Sequence, residues 1–230
     1  MTSKLFFRSM NSTIGRKIVM SITGLFWVLF VIIHMLGNLS FLAGPDAFNS
    51  YSHKLISLGP ILWALEALLV LTFLLHAYYA ISVSLNNRQA RPEKYHKLQS
   101  IGEPSRKTIS STSMIYTGII LLVFTIIHIK TFKYGPGIAE GYVTTINGET
   151  MRDLYSLVKE TFNDPLYAFG YTIVMILLGY HLRHGFWSAF QSLGANHPRY
   201  SAGIYTVGVG LAIVLALGFV VLPILIYFIY

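Results

Sequence analysis

The segment PLYAFGYTIVMILLGYHL, from Pro165 to Leu182, contains no Asp, Glu, Lys or Arg. It is about as long as the roughly 18 to 20 residues with which a helix crosses ~30 Å of hydrocarbon. One histidine, His181, lies in this segment, and Arg183 and His184 follow closely. Because an imidazole in hydrocarbon is costly, a histidine at this depth indicates a functional site.

The rest of the chain repeats this apolar pattern. Of its 230 residues, 54% are hydrophobic and only 11% are charged, which is less charge than a soluble domain carries. We therefore predict an all-α membrane bundle of five transmembrane helices, at about 13–37, 60–86, 110–130, 165–190 and 202–228, in a single domain covering 1–230. The other stretches without charge are Ile18–Pro45, Ala67–Asn87, Thr108–Ile129 and Tyr200–Tyr230.

The net charge of +8 is distributed unevenly along the chain. Twelve of the 17 Lys and Arg residues lie in the N-terminal tail, the second connection and the fourth connection. The positive-inside rule makes that side cytoplasmic, which predicts a cytoplasmic N-terminus and a C-terminus on the opposite side. Because the basic residues are concentrated in alternate connections, membrane topology explains the positive charge, and binding to nucleic acid is not needed to account for it. The chain has no cysteine, which excludes iron–sulfur clusters ligated by cysteines of this chain.

The connections have weaker patterns. Residues 38–59 are rich in turn formers and read as a loop. In the connection 130–164, helical spacing predicts a short amphipathic helix, and Asp164-Pro165 reads as the cap and first turn of the fourth transmembrane helix. No tandem repeat is evident. The residues with helical spacing are Met151, Leu154, Tyr155, Val158 and Phe162, and the histidines assigned to solvated loops are His53, His96 and His197.

Two histidines lie at one predicted depth. At about 1.5 Å of rise per residue, His34 lies roughly 25 Å beyond Lys17, and His128 lies roughly 27 Å beyond Ser110. Both helices run outward from the cytoplasmic side. We therefore expect these two imidazoles to share a level near the outer surface.

Two more histidines share another level. His76 follows Pro60 by 16 residues and His181 follows Pro165 by 16, so each lies about 24 Å below the outer boundary. Neutral imidazole is a good axial haem ligand, and helix bundles commonly hold cofactors between facing helices. A single histidine is more often a packing residue. Two pairs matched in depth predict two bis-histidine haems in a four-helix core, with a fifth helix beside it.

Five blocks of sequence resemble the di-haem cytochrome b membrane anchor of succinate:quinone oxidoreductases, the family of succinate dehydrogenase and fumarate reductase (complex II). The resemblance covers essentially the whole chain in its five-helix form. The blocks are Ser12–Lys17, Phe30–Asn38, Leu75–Tyr79, Ile127–His128 and His181–Ser188.

This resemblance implies that His76 and His181 bind the proximal haem b iron and that His34 and His128 bind the distal one. It also implies an electron-transfer subunit of the tricarboxylic acid cycle and respiration, which does not itself act on succinate. The implied partners are a flavoprotein and an iron–sulfur subunit on the cytoplasmic side, membrane lipid, and a quinone, which is usually menaquinone in the di-haem anchors. The implied location is the bacterial cytoplasmic membrane.

Several further residues have two readings each. His184 is either a hydrogen-bond donor to a haem propionate or an interfacial polar side chain, and it is also an alternative ligand in place of His181. Arg16, Lys17 and Arg183 are either propionate partners or ordinary cationic anchors at the membrane surface.

Glu66 is the one carboxylate predicted at membrane depth. It lies roughly 15 Å outward of His76, at the level of the other histidine pair. A carboxylate there suits proton transfer to and from a quinone. The competing reading is a carboxylate that reaches the interface or a backbone partner.

Two other functions are consistent with the same histidines. One is the di-haem cytochrome b anchor of another respiratory dehydrogenase. The other is a transporter without haem, in which the histidines gate protons.

Overall fold

The computed structural model describes residues 12–90, 109–195 and 197–229. Within these ranges the chain is almost entirely helical, with five helices long and apolar enough to cross a membrane. The all-α prediction is confirmed. Lys4, Arg8, His96 and most of the basic second connection, residues 91–108, lie outside the described residues.

The five long helices begin and end within three residues of their predicted bounds. The first of them, Thr13–Leu39, continues as a 3-10 turn, Ser40–Ala43. The third, Ile109–His128, continues as a π-helical turn, Ile129–Lys133. The long helices are α1 (Thr13–Leu39), α3 (Pro60–Gln89), α4 (Ile109–His128), α6 (Pro165–Ser192) and α7 (Ser201–Ile229).

The surfaces of these helices are apolar. Trp63 is 69% exposed, Leu217 is 59% exposed and Ile33 is 55% exposed, and large aliphatic side chains are exposed on all five helices. Water does not solvate such surfaces favourably, whereas lipid does. The chain is therefore a multi-pass membrane protein.

The segment after α1 contains a helix that the sequence analysis did not predict. Helix α2 spans Pro45–Ile56, so the prediction of a loop over 38–59 was wrong. Gly44 has a φ of +96°, which a residue with a side chain rarely adopts, and Pro45 occupies the first helical position. His53 lies on this helix, not in a loop, with its Nε2 3.7 Å from a Glu149 carboxylate oxygen.

The connection before α6 folds into a hairpin and a helix. Strands β1 (Val143–Ile146) and β2 (Glu149–Arg152) pair antiparallel across Asn147-Gly148. The predicted amphipathic helix is confirmed as α5 (Leu154–Asn163), but Met151 lies in β2 and not in the helix. The cap of α6 is also confirmed, because the Leu166 amide donates to Asp164 Oδ1 at 2.8 Å.

Close contacts divide the chain into two compact units. Among the described residues, the first comprises 12–28, 69–90, 109–119, 180–195 and 197–212, and the second comprises 29–68, 120–179 and 213–229. The second unit has an aromatic and aliphatic core from α2, α5 and the long helices. That core contains Phe41, Phe48, Tyr155, Phe162, Tyr171, Leu222 and Ile226.

Candidate functional site

The first unit brings together His76 of α3 and His181 of α6. Their ring centroids are 6.5 Å apart and the ring planes are inclined by 65°. Both side chains are partly buried. The two histidines that were matched in depth are therefore neighbours.

Each ring of this pair has an acceptor for one of its nitrogens. His76 Nδ1 lies 3.0 Å from the backbone oxygen of Met20, and since a carbonyl only accepts, Nδ1 must carry the proton. His181 Nδ1 lies 3.0 Å from Thr117 Oγ1, whose own hydrogen has carbonyl acceptors at 3.1 Å one turn back in α4. Thr117 therefore accepts from His181. In neutral rings of this tautomer, Nε2 keeps its lone pair for a ligand.

The second unit brings together His34 of α1 and His128 of α4. Their ring centroids are 5.6 Å apart and the planes are nearly perpendicular, at 88°. Each ring is stacked by a phenylalanine one turn back on its own helix: Phe30 at 5.3 Å from His34 and Phe124 at 5.6 Å from His128. The buried Nδ1 of His128 has no hydrogen-bond partner among the described residues. This pair is thus held by aromatic contact.

Both spacings fit a metal bound axially. An ion held by two opposite imidazoles places the ring centroids roughly 6 Å apart, since each metal–nitrogen bond is about 2 Å and each ring adds its radius. In the described ranges no three or more His, Asp or Glu side chains form a cluster for a bare metal ion. Two imidazoles suffice when the metal brings four ligands of its own, as in a porphyrin.

The basic side chains that the sequence analysis offered as propionate partners or surface anchors lie in the first unit and differ in their surroundings. Arg183 donates to Tyr205 Oη at 2.7 Å and more weakly to Ser110 Oγ at 3.4 Å, so α6 is tied to α7 and α4. Arg16 donates to Ser82 Oγ at 2.6 Å, from α1 to α3. Lys17 is exposed, whereas His184 is partly buried on α6 next to Arg183.

Glu66 lies in the second unit and forms an ion pair with Lys133. Its partner is therefore a side chain of the π-helical turn after α4, which neither sequence-based reading of Glu66 named. The two side chains are about one-third and two-fifths exposed, at 33% and 40%. π-Helical turns occur often at functional sites. A cleft of about 730 Å³ opens beside this turn, with Lys130, Tyr134 and Glu160 in its wall.

Helices α1 and α4 share a sequence pattern that the search for tandem repeats missed. Met-x-x-Thr-Gly-x5-Phe-x-Ile-Ile-His occurs at residues 20–34 and again at 114–128. In each case the next long helix begins with a proline that precedes its histidine by 16 residues, Pro60 before His76 and Pro165 before His181. Other elements separate the two copies along the chain, so the copies do not form a tandem repeat.

Comparison with protein-family models, with curated proteins and with solved structures finds no match. The resemblance to the complex II anchors thus rests on the sequence blocks alone. It enters below as a proposal.

Proposed function

We propose that this chain is the membrane anchor and electron-transfer subunit of a succinate:quinone oxidoreductase, with two b haems. His76 and His181 would hold one haem iron, and His34 and His128 would hold the other. The observation that carries the proposal is the existence of two intramembrane histidine pairs, each from two different helices, with ring centroids 6.5 Å and 5.6 Å apart.

The haems, when bound, supply one-electron exchange between an iron–sulfur subunit and a quinone such as menaquinone. The chain's own residues fix the ring planes and compensate charge. Arg183 has neutral hydroxyl partners, those of Tyr205 and Ser110, so a propionate carboxylate beside it gains a charge-assisted hydrogen bond. Arg16, bonded to Ser82, has the same role from α1. His184 is a further propionate donor, and Lys17 is a surface anchor.

The quinone reacts beside the His34 and His128 pair in this proposal. The cleft next to the π-helical turn begins at Ile127, one residue from His128, and its wall is amphipathic. Glu66, which forms an ion pair with Lys133, exchanges the protons that accompany quinone chemistry.

An absorption spectrum of the purified chain separates this function from a proton-gating transporter. We expect a Soret band and, after dithionite reduction, the sharp α band of low-spin haem b. A chain purified without a Soret band from haem-replete membranes would contradict the proposal.

Co-purification separates it from the anchor of another dehydrogenase. A tagged chain isolated in mild detergent should bring with it a flavoprotein and an iron–sulfur protein, and the preparation should reduce a menaquinone analogue with succinate or oxidise its quinol with fumarate. Retention of haem with a different dehydrogenase, inactive toward both acids, would favour the alternative anchor.

A further inference from the structure

The two copies of the repeated pattern contain a Thr-Gly dipeptide in the first unit. In the first copy it is Thr23-Gly24 on α1, and in the second it is Thr117-Gly118 on α4. Each dipeptide lies against the histidine of the next long helix along the chain. Both threonines are buried, with 6% and 4% of their surface exposed.

The second copy contacts His181. Thr117 Oγ1 is the acceptor 3.0 Å from His181 Nδ1. A Cβ added at Gly118 would lie 3.5 Å from His181 Cε1, which is ordinary van der Waals contact. The Thr117 hydroxyl therefore fixes the His181 ring by a hydrogen bond. A methyl group at Gly118 would just fit beside that ring.

In the first copy, the glycine is the residue closer to the histidine, His76, and the threonine is the more distant one. Thr23 Oγ1 is 3.5 Å from His76 Nδ1, while the Met20 carbonyl oxygen, at 3.0 Å, is the nearer acceptor. A Cβ added at Gly24 would lie 3.1 Å from His76 Cε1 and 3.3 Å from Nδ1. Such contacts are too close for the ring to stay where it is.

We infer that the Thr-Gly dipeptides, together with the Met20 carbonyl in the first copy, are positioning elements that set the tautomer and ring plane of the histidine on the following helix. This inference rests on the proposed function, because it assigns those histidines to a haem iron. The threonine or the carbonyl one turn before it accepts the Nδ1 proton, so that Nε2 faces the metal. The glycine lets the ring lie close against the neighbouring helix. Partners of this kind orient a ligating imidazole and raise its basicity.

The two copies predict opposite orders of sensitivity. Thr117→Val removes the acceptor that faces His181 Nδ1 and should have a large effect, whereas Thr23→Val leaves the Met20 carbonyl in place and should have a small one. For the glycines the order reverses: Gly24→Ala should displace its histidine and Gly118→Ala should be tolerated. A general loss of packing would not produce this crossed pattern.

The test is made on the full chain in membranes and in detergent, with three readouts: haem per chain, the low-spin ferric EPR spectrum, and a redox titration of the α band. In Thr117→Val we expect roughly 10- to 100-fold weaker retention of one haem. The fraction that is retained should have altered g values and a midpoint potential shifted to more positive values. Thr117→Ser should restore all three. The second haem should stay unchanged.

Thr125→Val is the matched control, because Thr125 makes the same bond to a carbonyl one turn back in α4. Equal effects of Thr117→Val and Thr125→Val, or no effect of Thr117→Val, would overturn the inference. If Thr117→Val does not accumulate, Gly24→Ala decides: unchanged g values there would also overturn it. A wild-type chain without haem would instead overturn the proposed function itself.

Discussion

The two histidine pairs are alike in composition and different in what surrounds them. His76 and His181 have hydrogen-bond acceptors from neighbouring helices, whereas His34 and His128 lie under stacked phenylalanines, with one Nδ1 lacking an acceptor. Both surroundings come from the same repeated pattern of α1 and α4. Its Thr-Gly part belongs to the first unit and its Phe-x-Ile-Ile-His part belongs to the second. One pattern can thus serve two sites by polar contacts at one end and aromatic contacts at the other.

The second unit also has a polar network that the described part of the first unit does not match. Asn49, which is 1% exposed, donates to Asp153 Oδ1 at 2.8 Å, and its Oδ1 accepts the Tyr155 amide at 2.9 Å. The network ties α2 to the start of α5. It stabilises the unit in which the buried Nδ1 of His128 has no hydrogen-bond partner among the described residues.

The largest effect on stability is expected from Asn49→Ala. The change leaves the buried Tyr155 amide without its acceptor, so the free energy of unfolding should fall by about 1–3 kcal/mol. Thermal unfolding in detergent measures this, with the exposed Asn87→Ala as control. The haem assigned to His34 and His128 should be lost first on heating. If the other haem were lost first, this network would not be what stabilises the unit that contains His34 and His128.

The next effect tests the aromatic contacts. Phe30→Leu and Phe124→Leu remove one stacked ring each, at a cost of about 1 kcal/mol per contact beyond the change in buried area. Both should broaden or shift the α band of the same haem and spare the other. Phe73→Leu, at the Trp27 contact of the first unit, is the control and should not affect the haem of His34 and His128. Equal changes in both haems for all three variants would contradict the claim that stacked phenylalanines support only the His34 and His128 pair.

A smaller effect should appear with pH. Burial by itself raises the pKa of Asp153, but hydrogen bonds from Ser156 and Asn49 outweigh it and hold the pKa below its usual value. The stabilisation is therefore complete above the unfolded pKa of about 4 and is lost as pH falls through the lower folded value. Thermal midpoints between pH 5 and pH 3 should fall more steeply in the wild type than in Asp153→Asn. Parallel curves would show that Asp153 does not titrate in this way.

The smallest effect on stability is expected for Lys133→Met. Its ion pair with Glu66 is partly exposed, and such pairs are worth about 0–1 kcal/mol. Quinone turnover should nevertheless decline, because the change removes the partner of the proposed proton-exchanging carboxylate. Lys54→Met, an exposed lysine of α2, is the control. Unchanged turnover in Lys133→Met would remove Lys133 from the proposed site.

Much of the fold was predictable because a membrane imposes simple rules. Stretches without charge gave helix bounds within three residues, and counting along the helices paired the four histidines correctly as neighbours. Asn147-Gly148 was an available hairpin signal that was overlooked, and their φ values of 51° and 82° suit a tight turn between strands.

Other features depend on contacts distant in sequence. Helix α2 is short, and its Phe48 and Asn49 are buried against the rest of the second unit, which no local pattern indicated. The Lys133 partner of Glu66 is 67 residues away and lies on a π-helical turn. The hydroxyl that faces His181 comes from another helix altogether. These contacts required the structure.

Counting haem in pair variants tests the central claim most directly. The pyridine haemochrome of the purified chain should give two haems b per wild-type chain and one each for His76→Ala/His181→Ala and His34→Ala/His128→Ala. The dithionite-reduced spectra of the two native variants should have different α-band maxima. The mixed variant His76→Ala/His34→Ala should lose both. No haem in the wild type, or one haem retained in the mixed variant, would contradict two sites built from these two pairs.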